Sequence, residues 1–167
     1  MIVLDASTLI LIAKMEALDL FLSGSKLEVA IPAEVEKECC VVKKTLDALM
    51  IQKAVQESNI KVVDVKNKKV VTKLRGDFGL GRGEAEAIAL ALAEKAEILC
   101  IDDKNGINAC KLTGIPFTTA IGILIRMREK RLLTVGEALA KLAALEKHGR
   151  YRQSILEDAR QRLEATA

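Results

Sequence analysis

The chain has 167 residues, of which 50% are hydrophobic, 29% are charged and only 2% are aromatic. This length predicts a single domain, residues 1–167, because single cores commonly contain about 100–200 residues, and the apolar content excludes a disordered chain. No uncharged apolar run approaches the roughly 18–20 residues that a membrane-spanning helix needs, so we expect no membrane partner. Residues 1–4 lead directly into Asp5 without a basic segment, which predicts no secretory signal and a cytoplasmic location.

The residues that several common chemistries require are scarce. His148 is the only histidine, and the four cysteines, Cys39, Cys40, Cys100 and Cys110, form no C-x-x-C pair. A structural zinc cage, two-histidine ribonuclease chemistry and histidine-based nucleophilic triads are therefore excluded. We expect the cysteines to be free thiols.

The net charge of +3 is small, but the basic residues are unevenly distributed. They cluster at 66–75, 126–131 and 147–152. Solvated helix faces explain most clusters of this kind, whereas a surface that follows a phosphate backbone is the functional alternative. Because aromatic residues are few, base stacking would contribute little to such binding.

Short apolar segments alternate with longer segments of helical periodicity, which is the pattern of a parallel sheet covered by helices. The segments predicted as strands are 1–4, 27–31, 61–65, 98–101 and 116–119. The segments predicted as helices are 8–22, 33–58, 83–95, 104–113, 121–130, 135–147 and 151–164, with a break at 148–149. Residues 66–83 are predicted to be irregular, either a flexible lip or the capped start of a helix. The pattern indicates one α/β domain in which 132–167 is a C-terminal helical extension.

Acidic residues directly follow two of the predicted strands. Asp5 follows the first strand, and Asp102 and Asp103 follow the fourth. Ligands of an open parallel sheet bind outside the carboxyl ends of its strands, so these acids would converge if the two strands are neighbours. Each aspartate could instead cap the helix that follows it. Capping the helix after Asp102 and Asp103 needs only one of the two, which favours a functional role for the other.

Two glutamates lie where helices begin after strands. Glu38 shares the inner helix face of Val35, and Glu84 lies in the first turn of an alanine-rich helix, where it could simply complement the helix dipole. A cluster of like charges is costly unless a cation neutralises it. All-oxygen ligands suit Mg²⁺ or Mn²⁺, and paired cations of this kind support phosphodiester hydrolysis.

Five segments together resemble the PIN-domain nucleases, in particular the prokaryotic relatives of toxin–antitoxin type. They are VLDASTLILIAK at 3–14, IPAEVEKE at 31–38, GRGEAEAIALALA at 81–93, ILCIDD at 98–103 and KLTGIPFTTAIGILIRMREKRLL at 111–133. The resemblance covers residues 1–147. The motifs are short and degenerate, but their order and spacing together are specific.

The resemblance implies a three-layer α/β/α fold with a five-stranded parallel sheet of order 3-2-1-4-5, and metal-dependent cleavage of RNA. It implies Mg²⁺ or Mn²⁺ as the cofactor. The residues that it identifies as catalytic and metal-binding are Asp5, Glu38, Glu84 and Asp103 or Asp102, both of which could contribute, with Ser7 as a supporting hydroxyl and Glu86 as a substitute for Glu84. The expected partners are an RNA substrate, a small antitoxin that covers the acidic crevice, and a second copy of the chain. For a homodimer, the apolar faces at 121–127 or the C-terminal helices would supply the interface.

Two other classes of function compete with the nuclease. A catalytically silent PIN-like module would bind RNA or a protein and would use some of its acids structurally. A receiver-type domain would accept a phosphoryl group on Asp5 or Asp102 with the help of Mg²⁺. It would also need a lysine at the end of a later strand, and no lysine follows a predicted strand in a suitable position.

Overall fold

The computed structural model describes residues 1–41 and 45–165. Within them, parallel strands form one sheet in the order β3-β2-β1-β4-β5. The strands are β1 (Ile2–Leu4), β2 (Val29–Pro32), β3 (Lys61–Val63), β4 (Ile98–Cys100) and β5 (Phe117–Thr118). The predicted strand positions and the predicted order are confirmed, although each strand is shorter than the apolar segment that contains it or is shifted by one or two residues.

Helices connect the strands and cover both faces of the sheet. They are α1 (Ala6–Lys14), α2 (Leu18–Gly24), α3 (Ala33–Glu36), α4 (Leu46–Gln56), α5 (Lys68–Phe78), α6 (Arg82–Ala93), α7 (Lys104–Thr113), α8 (Ala120–Glu129), α9 (Val135–His148) and α10 (Gln153–Ala165). Leu4 is buried in one apolar cluster and its neighbour Val3 in another, because successive side chains of a strand point to opposite faces. The three-layer architecture follows from this alternation.

The prediction of one helix over 8–22 is wrong. α1 ends at Lys14, Glu16 adopts a left-handed conformation with φ 54°, and α2 begins at Leu18. The turn brings Met15 and Ala17 into the core, where both are buried. Burial of these apolar side chains therefore outweighs continuation of the helix.

The prediction of one helix over 33–58 is also wrong. α3 has only four residues and continues into a π-helical turn, Lys37–Val41. Thr45 then has an extended backbone and precedes α4. Part of the predicted helix, at 42–44, lies outside the described residues.

Residues 66–83 are not an irregular lip, because α5 occupies most of the segment. Asn67 caps this helix by accepting a 3.2 Å hydrogen bond from the backbone N–H of Val70, and Val71 and Leu74 are buried. Gly79 ends it in the left-handed conformation, with φ 65°, which glycine adopts without steric cost. The glycines thus mark the end of one helix and the start of the next.

The C-terminal helices pack on the same apolar cluster as α1 and α8. α9 ends at His148, so the predicted break is confirmed, and α10 buries Leu156, Ala159 and Leu163. The apolar side chains of α8 are also covered by the chain itself: Ile121, Ile123, Leu124, Ile125 and Met127 are all buried. No helix among residues 1–41 and 45–165 has the length and apolarity to cross a lipid bilayer.

Candidate functional site

The carboxyl ends of β1 and β4 lie side by side at the centre of the sheet. Leu4 is opposite Cys100 in the register, and the backbone N–H of Asp5 donates a 3.0 Å hydrogen bond to the carbonyl of Cys100. The strands that precede Asp5 and Asp102 are therefore neighbours. The two strand ends bring these acids, with the adjacent Asp103, to one edge of the sheet.

Asp5 is completely buried and is held by two local donors. The Ser7 hydroxyl donates to Oδ2 at 2.6 Å, and the Thr8 backbone N–H donates to Oδ1 at 2.8 Å, which makes Asp5 the N-cap of α1. The pKa of Asp5 is raised from 3.8 to about 7, mainly by burial and to a smaller extent by the nearby charge of Asp102, while the hydrogen bonds oppose the rise. A buried carboxylate of this kind is costly to ionise unless a positive charge reaches it.

Asp102 accepts three hydrogen bonds from parts of the chain that are far apart. The Thr8 hydroxyl and the Ala120 backbone N–H donate to Oδ2 at 2.8 and 2.9 Å, and the Tyr151 hydroxyl donates to Oδ1 at 2.5 Å. Burial and the charge of Asp102 raise the pKa of Tyr151, so this phenol stays protonated and acts as a donor. Asp102 thus links α1, α8 and the segment after α9.

Asp103 caps the helix that follows it, whereas Asp102 does not. Oδ1 of Asp103 accepts a 2.8 Å hydrogen bond from the backbone N–H of Gly106, so Asp103 is the N-cap of α7. The capping role and the long-range contacts therefore fall on different members of the adjacent pair. Both carboxylates lie at the same strand end, and each remains a candidate ligand.

Glu38 lies on the π-helical turn after α3, and π-helical turns are frequent at functional sites. Its Oε1 accepts a 3.1 Å hydrogen bond from the backbone N–H of Gly83, near the start of α6. A Cβ atom at Gly83 would lie 2.6 Å from both carboxylate oxygens of Glu38, so glycine is required for this approach. Burial raises the pKa of Glu38, and the charges of Glu34, Glu84 and Glu86 add to the rise.

Glu84 and Glu86 lie two positions apart on α6 but have different surroundings. Glu84 is partly exposed, and its Oε2 accepts a 2.7 Å hydrogen bond from the backbone N–H of Gly81. Burial raises the pKa of Glu84, and the charge of Asp103 contributes. Glu86 is 2% exposed and pairs with Lys68 at 3.1 Å and Arg82 at 3.4 Å. Two basic side chains thus compensate the charge of Glu86, whereas none in the described part of the chain pairs with Glu84.

The donor set suits a hard divalent cation, since carboxylate oxygens are its preferred ligands. In the part of the chain that the structure describes, no lysine or arginine forms an ion pair with the five crevice acids, Asp5, Glu38, Glu84, Asp102 and Asp103. In the same residues, no three histidine, cysteine, aspartate or glutamate side chains form a group that could hold a metal ion. Hydrogen bonds to the backbone direct Glu38 towards Gly83 and Glu84 towards Gly81.

The cysteines do not add ligands to this site. Cys39, Cys100 and Cys110 are buried thiols, and Cys40 is partly buried. Burial raises the pKa of Cys100, with a contribution from the charges of Asp5 and Asp102, and raises that of Cys110 to about 11. These groups stay protonated, and a protonated thiol is a poor metal ligand and nucleophile.

Several residues that contact the acids were not predicted from the sequence. Thr8 donates to both Asp5 and Asp102, the Gly83 N–H donates to Glu38, and the Tyr151 hydroxyl donates to Asp102. The spacing of Thr8 from Asp5 is that of a helix cap, which was a usable signal for one of its contacts. No local pattern marks Tyr151, because its contact joins residues 49 positions apart.

Comparison with known proteins gives one family. The family model for DUF3368, described as a PIN domain, matches residues 1–165 of the chain. No protein with a curated description matches the sequence.

Proposed function

The chain belongs to the PIN-domain family, whose members are generally nucleases, and from this premise we propose that it is a Mg²⁺- or Mn²⁺-dependent endoribonuclease. Its substrate would be RNA, and its metal ligands would be Asp5, Glu38, Glu84 and the pair Asp102 and Asp103. The observation that carries the proposal is the burial of Asp5 next to Asp102, where no basic side chain among residues 1–41 and 45–165 pairs with either acid. Nearby unpaired carboxylates favour the binding of a cation.

The hydrogen bonds at the strand ends orient the acids and leave acceptor positions for a cation. Ser7 and Thr8 each donate to one oxygen of Asp5, which leaves the remaining lone pairs of the carboxylate available. When bound, the cation would lower the pKa of an attacking water and neutralise charge at the cleaved phosphate. Glu38 and Glu84 have raised pKa values, so each accepts a proton from water more readily than a glutamate with the ordinary pKa does.

The wider role that we propose is that of a toxin in a toxin–antitoxin pair, acting in the cytoplasm. The partner would be a small antitoxin whose basic side chains enter the crevice, since acids that form no ion pair within the described residues would attract them. A homodimer is the corresponding proposal for the oligomeric state. Size-exclusion chromatography with light scattering, with and without the product of the neighbouring gene, tests both proposals.

Cleavage of a labelled single-stranded RNA by the purified protein tests the catalytic proposal. Cleavage should require Mn²⁺ or Mg²⁺, stop with EDTA and stop in the Asp5→Asn variant, which keeps the size of the side chain. Asp19→Asn is the matched control, because Asp19 is an exposed acid in the first turn of α2, beyond the far end of α1. Full cleavage by Asp5→Asn, or cleavage that is unchanged by EDTA, would contradict the proposal.

The second candidate is a catalytically silent module that binds RNA or a protein. It is favoured by the spacing of the acids, since no three of them in the described residues form a group that could hold one ion. Calorimetric titration with Mn²⁺ separates the two candidates. Binding that is lost in Asp5→Asn supports the nuclease, whereas RNA binding without any Mn²⁺ binding at millimolar concentration supports the silent module.

A further inference from the structure

Tyr151 lies in the short segment between α9 and α10, and its hydroxyl reaches the crevice. It donates a 2.5 Å hydrogen bond to Oδ1 of Asp102. Gly149 leaves room for the phenol ring, since a Cβ atom at this position would lie 2.4 Å from a ring carbon of Tyr151. The ring therefore packs closely against the backbone at Gly149, where a larger residue would clash with it.

The segment that carries Tyr151 is anchored on both sides. Before it, Leu142 and Leu145 of α9 are buried, and after it Leu156 and Leu163 of α10 are buried in the same apolar cluster. Such packing restricts the motion of the connecting residues. Tyr151 thus meets Asp102 as part of the packed structure and not as the tip of a free loop.

The hydrogen bonds to Asp102 leave little freedom for its carboxylate. An ionised carboxylate has about four acceptor positions, and Oδ2 already receives donors from Thr8 and Ala120. Tyr151 takes one of the two positions on Oδ1. One position remains, on the oxygen to which the phenol donates.

We propose that Tyr151 is a positioning residue of the crevice, which orients the Asp102 carboxylate so that its remaining acceptor position is available to a divalent cation. The C-terminal segment is then part of the site and not an appendage to it. This inference rests on the proposed function to the extent that Asp102 binds the cation used in cleavage.

The chain provides a direct spectroscopic test, because Tyr151 is its only tyrosine and tryptophan is absent. A phenol that donates to a carboxylate emits less than one that does not, so Asp102→Asn should raise the tyrosine emission. Titration of the metal-free wild-type protein with Mg²⁺ should change this emission with saturation. The same titration of Asp102→Asn should give no change.

Cleavage kinetics test the positioning role in a second way. Tyr151→Phe removes only the hydroxyl and should lower kcat roughly tenfold, as expected for a lost hydrogen bond to a charged group. The KM for RNA should be unchanged, and a higher Mg²⁺ concentration should be needed for half-maximal cleavage. Thr113→Val is the matched control, because the exposed Thr113 hydroxyl donates within its own helix, at 2.7 Å to the Ala109 carbonyl. The double variant Tyr151→Phe, Asp102→Asn should be no slower than Asp102→Asn alone.

Several outcomes would overturn the inference. Wild-type rates in Tyr151→Phe at every Mg²⁺ concentration would remove the positioning role, and faster cleavage would mean that Tyr151 blocks the cation. If the fold losses in cleavage rate of the two single variants multiply in the double variant, Tyr151 does not act through Asp102. If the wild-type protein cleaves no RNA, the proposed function fails, and the Mg²⁺ titration of the tyrosine emission still decides the inference: no change overturns it, and a change that requires Asp102 supports it.

Discussion

Asp5 and Asp102 are joined through a single residue, since Thr8 donates its backbone N–H to Asp5 and its hydroxyl to Asp102, both at 2.8 Å. Thr8 is itself completely buried. The start of α1 therefore sets the positions of two carboxylates that belong to different strands. This arrangement brings two carboxyl groups together through the neutral donors of Thr8.

The Thr8 hydroxyl can be removed with little change of shape. Thr8→Val leaves Oδ2 of Asp102 with the Ala120 N–H alone, and we expect the free energy of unfolding to fall by about 1–3 kcal/mol. Cleavage should fall as well, because Asp102 is then less well held. Urea denaturation and the RNA assay measure the two effects.

Thr8→Ser is the matched control for this change. It keeps the hydroxyl and removes one methyl group, so cleavage should stay close to the wild-type rate although some stability is lost with the methyl group. If Thr8→Val cleaves at the wild-type rate, the contact between Thr8 and Asp102 has no role in the chemistry.

The raised pKa of Asp5 predicts a pH-dependent stability. In the unfolded chain this carboxyl ionises near its ordinary pKa of 3.8, but in the folded protein it keeps its proton up to a pKa of about 7. The unfolded state therefore binds fewer protons over this interval, and in metal-free buffer the free energy of unfolding should fall between about pH 4 and pH 7. Three pKa units correspond to about 4 kcal/mol, which sets the upper end of the effect.

Asp5→Asn should remove most of this decline, since the amide does not titrate. Urea denaturation in EDTA at several pH values provides the measurement, and Asp19→Asn again serves as the control. Mg²⁺ should stabilise the wild-type protein more at about pH 8 than at about pH 5, because it competes with the proton for the carboxylate. Equal pH dependence in Asp5→Asn and wild type would mean that Asp5 does not carry the effect.

The sheet could be predicted from the sequence because its strands are encoded locally. The apolar segments before Asp5 and Asp102 are the central strands β1 and β4, and strand ends of a parallel sheet share one edge. The helix boundaries were less predictable. At Glu16 the backbone leaves the helix in a left-handed conformation, and after Glu36 it continues as a π-helical turn; the helical periodicity of the sequence encodes neither change.

The acids of the crevice were predictable as residue types at strand ends, but their hydrogen bonds were not. The separate roles of Asp102 and Asp103 depend on which carboxylate turns towards the N–H groups of α7. The contact of Tyr151 depends on the path of the chain from α9 to α10. Such contacts are set by tertiary packing and leave no periodic signal in the sequence.

Gly83 provides a test of Glu38 that need not reduce stability. The Cβ atom in Gly83→Ala would displace the Glu38 carboxylate, which is the mobile end of an exposed side chain. Alanine near the start of α6 should leave the free energy of unfolding unchanged or raise it by up to about 1 kcal/mol. Cleavage should nevertheless fall roughly 10- to 100-fold, since small displacements in a reactive site are costly.

Gly136→Ala is the matched control, because Gly136 is also the second residue of a helix and a Cβ atom there meets nothing within 4 Å. It should gain similar stability and keep full cleavage. Thermal unfolding and the RNA assay on both variants give the comparison. Full cleavage by Gly83→Ala would show that the position of the Glu38 carboxylate at the start of α6 has no role in the reaction.

Glu84 and Glu86 can be distinguished by their partners. Glu86 is buried and paired with Lys68 and Arg82, so Glu86→Gln should lower the free energy of unfolding while cleavage and Mn²⁺ affinity are kept. The loss of stability should shrink at high salt, because both basic partners are exposed and their attraction is screened.

Glu84→Gln should do the opposite. The amide oxygen can still accept the Gly81 N–H, so stability should change little, whereas cleavage and Mn²⁺ affinity should be lost. Calorimetric Mn²⁺ titration of the two variants, combined with urea denaturation, gives the measurement. Loss of Mn²⁺ binding in Glu86→Gln alone would assign the ligand to Glu86 and contradict the role of Glu84.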